Sequence, residues 1–445
     1  MSENIQPSIL LKADVNGYLN LNADTLDAAF TLTPTGFDMA QAPRLEQNVI
    51  FMGDVSGSMD SPASKLKFMK LAMIGAIRKL PEHFYFAVVT FASSARAVVE
   101  LCQATEANKK LAIAAVERIT AGGGTEMSKG LKVVMQEQMR RPQAAGLCVL
   151  LTDGQNESSD ESSLDEVLQD FQAKAGQGMV VQVHARGVYS DFSFDQVNKI
   201  ATATKGMAPE YIEEADKLEA DFAALVDLAS ANVISDVRLN VWTPKVVSIK
   251  ACKKTLPFLQ DLMGSQTVDQ TAGITSSFPL GAMNAEVTEY FVTFALQPKP
   301  VGQAGSAGKV WVSFMYNGTK VETAPETIRC EWTGDHDTRS IRIPEGVARA
   351  RGDVDFARNI QEGMEALKNG DKAAATQRLG AAAKFAHEKG DKELTQRLEA
   401  LVVIEDAAAG TVKIKAGAEK DTNATLRLES ASIRTKKVPV NAGGK

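Results

Sequence analysis

Five oxygen-bearing residues stand where a cation could be held. Asp54-Val55-Ser56-Gly57-Ser58 follows a short apolar run, Thr125 follows Gly122-Gly123-Gly124, and Thr152-Asp153-Gly154 closes a second apolar run. Asp54, Ser56, Ser58, Thr125 and Asp153 together offer two carboxylates and three hydroxyls. Hard oxygen donors suit Mg²⁺, Ca²⁺ or Mn²⁺ rather than zinc or copper. Two carboxylates neutralise one divalent charge, and the hydroxyls add coordination without adding charge. Mg²⁺ completes its octahedron with water, so an Asp or Glu carboxylate from a protein partner can take the place of a water. Chemistry of this kind binds an acidic group, and no residue is assigned a catalytic role.

For these residues to meet, they must sit at the carboxyl ends of neighbouring parallel strands, where loops converge. Asn48 to Met52 is an apolar run too short for a helix, ending at Gly53-Asp54, which predicts a strand buried on both faces. From Ala63 to Leu80 the apolar residues Leu66, Met69, Met73, Ile74 and Ile77 follow helical spacing, and Pro81 closes the segment. Further strands are predicted over 84–91, 97–101, 147–152, 179–188 and 207–212, and helices over 108–119, 127–139, 164–175, 192–203 and 215–231. Strand–helix alternation implies βαβ units, hence a doubly wound, Rossmann-like α/β domain over 45–232.

The flanks differ. Segments 237–249, 286–296, 310–316 and 338–343 are rich in Val, Thr and aromatics, with a turn-rich interval at 303–308, which predicts a β-rich sandwich over 233–346. Short apolar runs in residues 1–44, with a hairpin turn expected at Asn16-Gly17, cannot be stable alone. They are expected to complete the sandwich, so that the α/β domain is an insertion in it. Gly370-Asp371 and Gly390-Asp391 each pair a helix stop with a helix start, predicting a three-helix bundle over 347–408. From Thr411 onward there are eight basic and three acidic residues, and 409–445 is expected to be a mobile basic tail.

Composition narrows the function class. Among 445 residues, 44% are hydrophobic and 23% charged, which fits a folded chain, and the net charge of -6 argues against a surface built for nucleic acid. Cys102, Cys148, Cys252 and Cys330 are widely spaced, without zinc-type pairing. No leader and no run of 18 apolar residues is seen, so the expected location is cytoplasmic, with no membrane contact. His83, His184, His336 and His387 show no ligand spacing, and the acidic run Glu157 to Glu161 reads as a solvated loop leading into a helix. The alternative to a binding module is a metal-dependent, phosphatase-like hydrolase using Asp54 as nucleophile or ligand. Phosphatases of the haloacid dehalogenase type, which use such an aspartyl nucleophile, usually carry a second Asp two positions on, where this chain has Ser56.

Asp54, Ser56 and Ser58, followed in order by Thr125 and Asp153, resemble the metal-ion-dependent adhesion site of von Willebrand factor A (VWA) domains, with the likeness spanning Leu45 to Ala231. The resemblance implies that Asp54, Ser56 and Ser58 touch the ion, that Thr125 approaches it directly or through water, and that Asp153 stands mostly behind. It implies a non-enzymatic scaffold. The whole layout resembles bacterial cytoplasmic VWA proteins of the tellurium-resistance or stress-response type. That likeness implies a kinase, a phosphatase or an AAA+ ATPase as partner. Within Ser430 to Val438 it implies modification at Ser432 and Thr435, although Lys437 stands where a further hydroxyl is expected.

Overall fold

The computed structural model describes residues 8–36, 45–61, 64–188, 192–207, 209–212, 217–231, 234–271, 273–334 and 343–435. The chain opens with β1 (Ser8–Val15), β2 (Tyr18–Leu19) and β3 (Thr25–Thr35). An α/β domain follows: β4 (Gln47–Asp54), α1 (Ser64–Lys79), β5 (Tyr85–Phe91), β6 (Ala95–Gln103), α2 (Glu106–Glu117), α3 (Met127–Met139), β7 (Ala145–Thr152), α4 (Glu161–Gly176), β8 (Val181–Val188), α5 (Phe194–Thr204), β9 (Glu210–Ile212) and α6 (Leu218–Ser230).

Its sheet runs β6-β5-β4-β7-β8-β9, all parallel except the edge strand β6. The chain leaves β4 outward through β5 and β6, then returns to the other side of β4 for β7, β8 and β9. The strand order therefore reverses between β4 and β7, and ligands of open α/β sheets bind at such a reversal. Every residue of β4 is buried, as its unbroken apolar run requires. Phe51 and Val149 pack on the face of α1 and α6, while Ile50 and Leu150 pack on the face of α3, α4 and α5.

Next come β10 (Ile234–Thr243), β11 (Ser248–Leu256), β12 (Gln260–Asp261), β13 (Thr267–Asp269), β14 (Ile274–Met283), β15 (Thr288–Ala295), β16 (Ala304–Tyr316), β17 (Thr319–Glu322) and β18 (Glu326–Trp332). They form two sheets, β1-β3-β15-β11-β12 and β13-β14-β10-β16-β18-β2, with β17 beside β16. The inner faces bury Phe30, Phe278, Phe294 and Trp332. β3 pairs with β15 from Thr25↔Ala295 to Leu32↔Thr288, and β2 pairs with β18. The N-terminal strands thus complete the sandwich, and the α/β domain is inserted between β3 and β10.

Several local expectations are corrected. Asn16-Gly17 closes no two-residue hairpin; β1 pairs with β3, and the dipeptide carries the chain across to the opposite sheet. Gly17 passes so close to β18 that a Cβ there would lie 3.1 Å from the carbonyl oxygen of Arg329. The run 237–249 is two strands in different sheets, because the chain turns at Pro244, whose carbonyl accepts from Val247 N. The turn-rich interval 303–308 belongs largely to β16, where its glycines accommodate a register shift against β18. Most of the strand expected at 338–343 lies outside the described residues.

The last part contains α7 (Glu345–Lys368), α8 (Lys372–Lys389), α9 (Lys392–Leu401), a hairpin of β19 (Val402–Asp406) and β20 (Thr411–Ile414), and α10 (Thr422–Ser432). Asp371 and Asp391 cap their helices by accepting from Ala374 N and Leu394 N, and Gly370 and Gly390 are left-handed. The expected mobile tail is folded as far as Thr435. Asp421 caps α10, Leu428 enters the core of the helical region, and Leu426 enters that of the α/β domain. Beyond α10, Ile433 O accepts from Leu259 N, and Thr435 N donates to Pro257 O.

The four cysteines are free, and Cys148, Cys252 and Cys330 are buried. Among the described residues no helix is long and apolar enough to cross a membrane.

Candidate metal centre

Asp54 ends β4, and Thr152 ends the adjacent strand β7, so the strand reversal brings Asp54 and Asp153 together. The loop after β4 makes one 3₁₀ turn, Gly57–Asp60, before α1. Backbone bonds tie it to the glycine loop: Gly122 N donates to Val55 O at 2.7 Å and Gly57 N to Gly123 O at 2.9 Å. Gly123 is left-handed with φ of 95°, which a residue with a Cβ rarely adopts. Thr125 is thereby delivered to the mouth formed by the other two loops.

The structure gathers all five expected residues. Ser56 Oγ and Ser58 Oγ are 3.0 Å apart, and Ser58 Oγ donates to Asp153 Oδ1 at 2.8 Å. A Cβ built on Gly154 would lie 3.3 Å from Thr125 Oγ1, 3.7 Å from Ser58 Oγ and 3.9 Å from Asp54 Oδ2. Oxygens from two loops therefore face one small space beside Gly154 in a third, where a side chain would intrude. Asp54 and Asp153 are fully buried, and Ser58 is exposed at the rim.

Asp54 is held from behind. Its Oδ1 accepts from Ser56 N at 2.8 Å and its Oδ2 from Thr152 Oγ1 at 2.7 Å. Burial raises its pKa to about 6 against the opposing pull of these bonds, and the charge of Asp153 adds to the rise. With both oxygens engaged, the carboxylate is anchored as a ligand would be. Among the described residues no group of three or more His, Cys, Asp and Glu side chains is placed to hold a metal. A cation at this centre thus depends on the hydroxyls of Ser56, Ser58 and Thr125, a donor set that fits a hard divalent ion.

Four residues support the centre through contacts that the sequence did not reveal. Lys65 Nζ meets Asp153 Oδ2 at 2.6 Å, and Thr152 supplies the bond to Asp54. Glu157 Oε1 accepts from Thr125 N at 3.2 Å, and Asp160, buried rather than solvated, accepts from Ser128 N at the start of α3. A lysine one residue into a helix would have been a signal only if its place on the buried stripe with Met69, Ala72 and Ala76 had been noticed. Ser432 and Thr435 stand apart from this centre. Ser432 Oγ donates to Glu429 O at 2.8 Å and Thr435 Oγ1 to Thr255 O at 2.6 Å, so both hydroxyls are engaged.

The family model for the von Willebrand factor type A domain matches residues 47–209. A von Willebrand factor type A protein from Catenulispora acidiphila is 30% identical, with a TM-score of 0.86 covering 98% of this chain and 99% of its own. The ArnB paralog VWA2 from Sulfolobus acidocaldarius shares the fold at 14% identity, with a TM-score of 0.61 over 96% of this chain and 98% of its own. In sequence, the protein sll0103 of Synechocystis sp. is 32% identical over 174 residues, 38% of each chain. Mouse inter alpha-trypsin inhibitor heavy chain 4 is 27% identical over 182 residues, 39% of this chain and 19% of its own length. The matches to these two curated relatives therefore cover well under half of each. The Catenulispora protein matches from the first sandwich strands to the last helix, and on that whole-chain likeness the chain belongs to the von Willebrand factor type A family.

Proposed function

We propose that this protein is a metal-dependent interaction module, in which a divalent cation held by Asp54, Ser56, Ser58 and Thr125, with Asp153 behind, takes an Asp or Glu carboxylate from a protein partner. The observation that supports it is the space beside Gly154, ringed by Thr125, Ser58 and Asp54 oxygens. Charge gives the partner its sign. The innermost charged groups, Asp54, Asp153 and Lys65, together carry one net negative charge when ionised, while Glu157, bonded to Thr125 N, lies exposed to solvent screening. A divalent ion turns this to one positive charge, and an incoming carboxylate neutralises it. Mg²⁺ is the proposed occupant, with Mn²⁺ or Ca²⁺ fitting the same donors. When bound, the ion supplies a Lewis-acidic position for that carboxylate; the chain itself holds Asp54 immobile through Ser56 and Thr152 and keeps Asp153 paired.

A role in bacterial stress response or phospho-signalling, with a kinase, phosphatase or AAA+ ATPase as partner, rests on the sequence resemblance alone. None of the relatives described above carries such a description. The cytoplasm is the compartment we propose, in keeping with four unpaired thiols.

The test is capture of partners on immobilised full-length protein in Mg²⁺ and in EDTA, with Asp54→Asn alongside. Partners retained in Mg²⁺ and released by both EDTA and the substitution support the reading. Partners retained in all three conditions overturn it.

A further inference from the structure

A second cavity, of 340 Å³, lies in the seam between the α/β domain and the sandwich, away from the cation centre. His184 and Arg186 of β8 and Lys205, which follows α5, line one wall; Lys254 of β11 lines the other; Arg434 stands at the C-terminal side. Met207, Met283 and Phe258 give it an apolar lining as well.

Its lining carries more cationic than anionic side chains. Four cationic side chains, Arg186, Lys205, Lys254 and Arg434, face two carboxylates, Glu210 and Glu286. Glu210 is taken by Arg434 at 2.8 Å, and Arg186 is held by Asp221 at 2.7 Å. Lys205, only 3% exposed, places its ammonium 3.4 Å from Thr202 O and 3.3 Å from Asp261 O. The half-buried Lys254 sets its ammonium 4.3 Å from the centre of the Phe258 ring. Among the described residues no carboxylate lies within ion-pair distance of either ammonium, but the charge of Asp261 acts on Lys205 and that of Glu286 on Lys254 from farther off. Burial lowers both to about 8, which leaves them mainly cationic at neutral pH.

His184 adds a third donor. Its Nδ1 accepts from Met207 N at 3.3 Å, which places the ring proton on Nε2, and this buried N–H has no partner among the described residues. Burial, with Arg186 and Lys254 nearby, pushes its pKa down to about 3, so the ring is neutral. A buried donor without an acceptor is costly and rare in folded proteins. Two lysines and an imidazole N–H thus line one cavity, with Glu286 as the carboxylate of that lining that acts on Lys254.

We infer that this cavity binds a small organic monocarboxylate, its head accepting from Lys205, Lys254 and His184 and its apolar body lying against Met207, Met283 and Phe258. The volume equals that of about eleven liquid waters, enough for a short acyl or aryl acid. Such a ligand touches both the inserted domain and the sandwich, so its binding stabilises their seam.

The inference stands apart from the cation centre and is tested in EDTA. Full-length protein is titrated by calorimetry with sodium octanoate and sodium benzoate, and in parallel with 1-octanol, octylammonium and inorganic phosphate. Stoichiometric binding of either acid, accompanied by a higher melting temperature, is expected. Lys254→Gln should weaken that binding by at least about tenfold, the worth of a charge-assisted contact, and Asp54→Asn should leave it unchanged. Lys205→Met should weaken it likewise; should that buried substitution fail to fold, the half-buried Lys254→Gln carries the test. Absence of binding by both acids, equal affinity for octanol or octylammonium, binding of phosphate alone, or undiminished binding in Lys254→Gln would each overturn the inference.

Discussion

The ammonium of Lys65 lies 2.6 Å from Oδ2 of Asp153, an ion pair whose side chains are 4% and 0% exposed. A monovalent cation supplied by the chain thus already faces one of the two carboxylates of the centre, and the other oxygen of Asp153 is taken by Ser58. Breaking a buried pair from one side leaves an uncompensated charge, at a cost of about 3 to 5 kcal/mol. Lys65→Met is therefore expected to lower the melting temperature in EDTA. It also leaves the centre with two unopposed negative charges, so Mg²⁺ should stabilise the variant by more than it stabilises the parent protein. Melting curves with and without Mg²⁺ measure both effects; equal stabilisation of the two proteins would show that Lys65 does not compete with the ion.

Asp54 contributes charge from a fully buried position, with its oxygens accepting from Ser56 N and Thr152 Oγ1. Asp54→Asn keeps the acceptor for Ser56, and its amide can donate to the Thr152 hydroxyl. The variant should fold with a melting temperature in EDTA no lower than that of the parent, because it removes a buried charge. Mn²⁺ binding, followed by the spin resonance of free Mn²⁺, should be lost. A variant that still takes up Mn²⁺ with parental affinity would remove Asp54 from the ligand set.

Gly154 gives a test that alters no charge and no hydroxyl. A Cβ at this position has no contact shorter than 3.3 Å, so Gly154→Ala should cost about 1 kcal/mol or less. The methyl group would occupy the space between Thr125, Ser58 and Asp54. Mn²⁺ affinity should fall while the far-ultraviolet circular dichroism stays unchanged. Parental affinity in this variant would place the cation somewhere else.

How far all this could be read from sequence depended on how local the signals are. The apolar run of β4 and its terminal Asp54 were legible because a doubly buried strand leaves a contiguous trace. The five oxygen residues were legible because each follows a strand or opens a helix. Lys65 was not, since an isolated lysine in a helix resembles a solvated one, and only Asp153, 88 positions away, explains its burial. Asp160 was misread for the same reason: its partner Ser128 is 32 residues distant. In the sandwich, β14 contains Pro279 and Gly281, which punctuate the pattern, and its pairing with β10 shifts register at Gly281. The segment after Thr411 looked like a solvated tail because its few apolar residues are divided between two cores. Leu428 faces one and Leu426 the other, and no single-segment periodicity encodes that division.

That C-terminal helix should also make stability depend on pH. Glu429 of α10 is 7% exposed, and burial raises its pKa from 4.5 to about 7, with Lys368 at 3.9 Å opposing the rise and Asp195 adding to it. The folded state thus holds the Glu429 proton more tightly than the unfolded state does. Its contribution is fully present below pH 4.5 and is lost as pH rises through about 7. A shift of this size corresponds to roughly 3 kcal/mol. Glu429→Gln keeps the shape and carries no charge, so its stability should exceed that of the parent at pH 8 and approach it at pH 4.5. Urea denaturation at closely spaced pH values, followed by tryptophan fluorescence, measures the difference between the two proteins. A difference that does not change with pH would mean that the Glu429 carboxylate is stabilised at its site as well as it is in water.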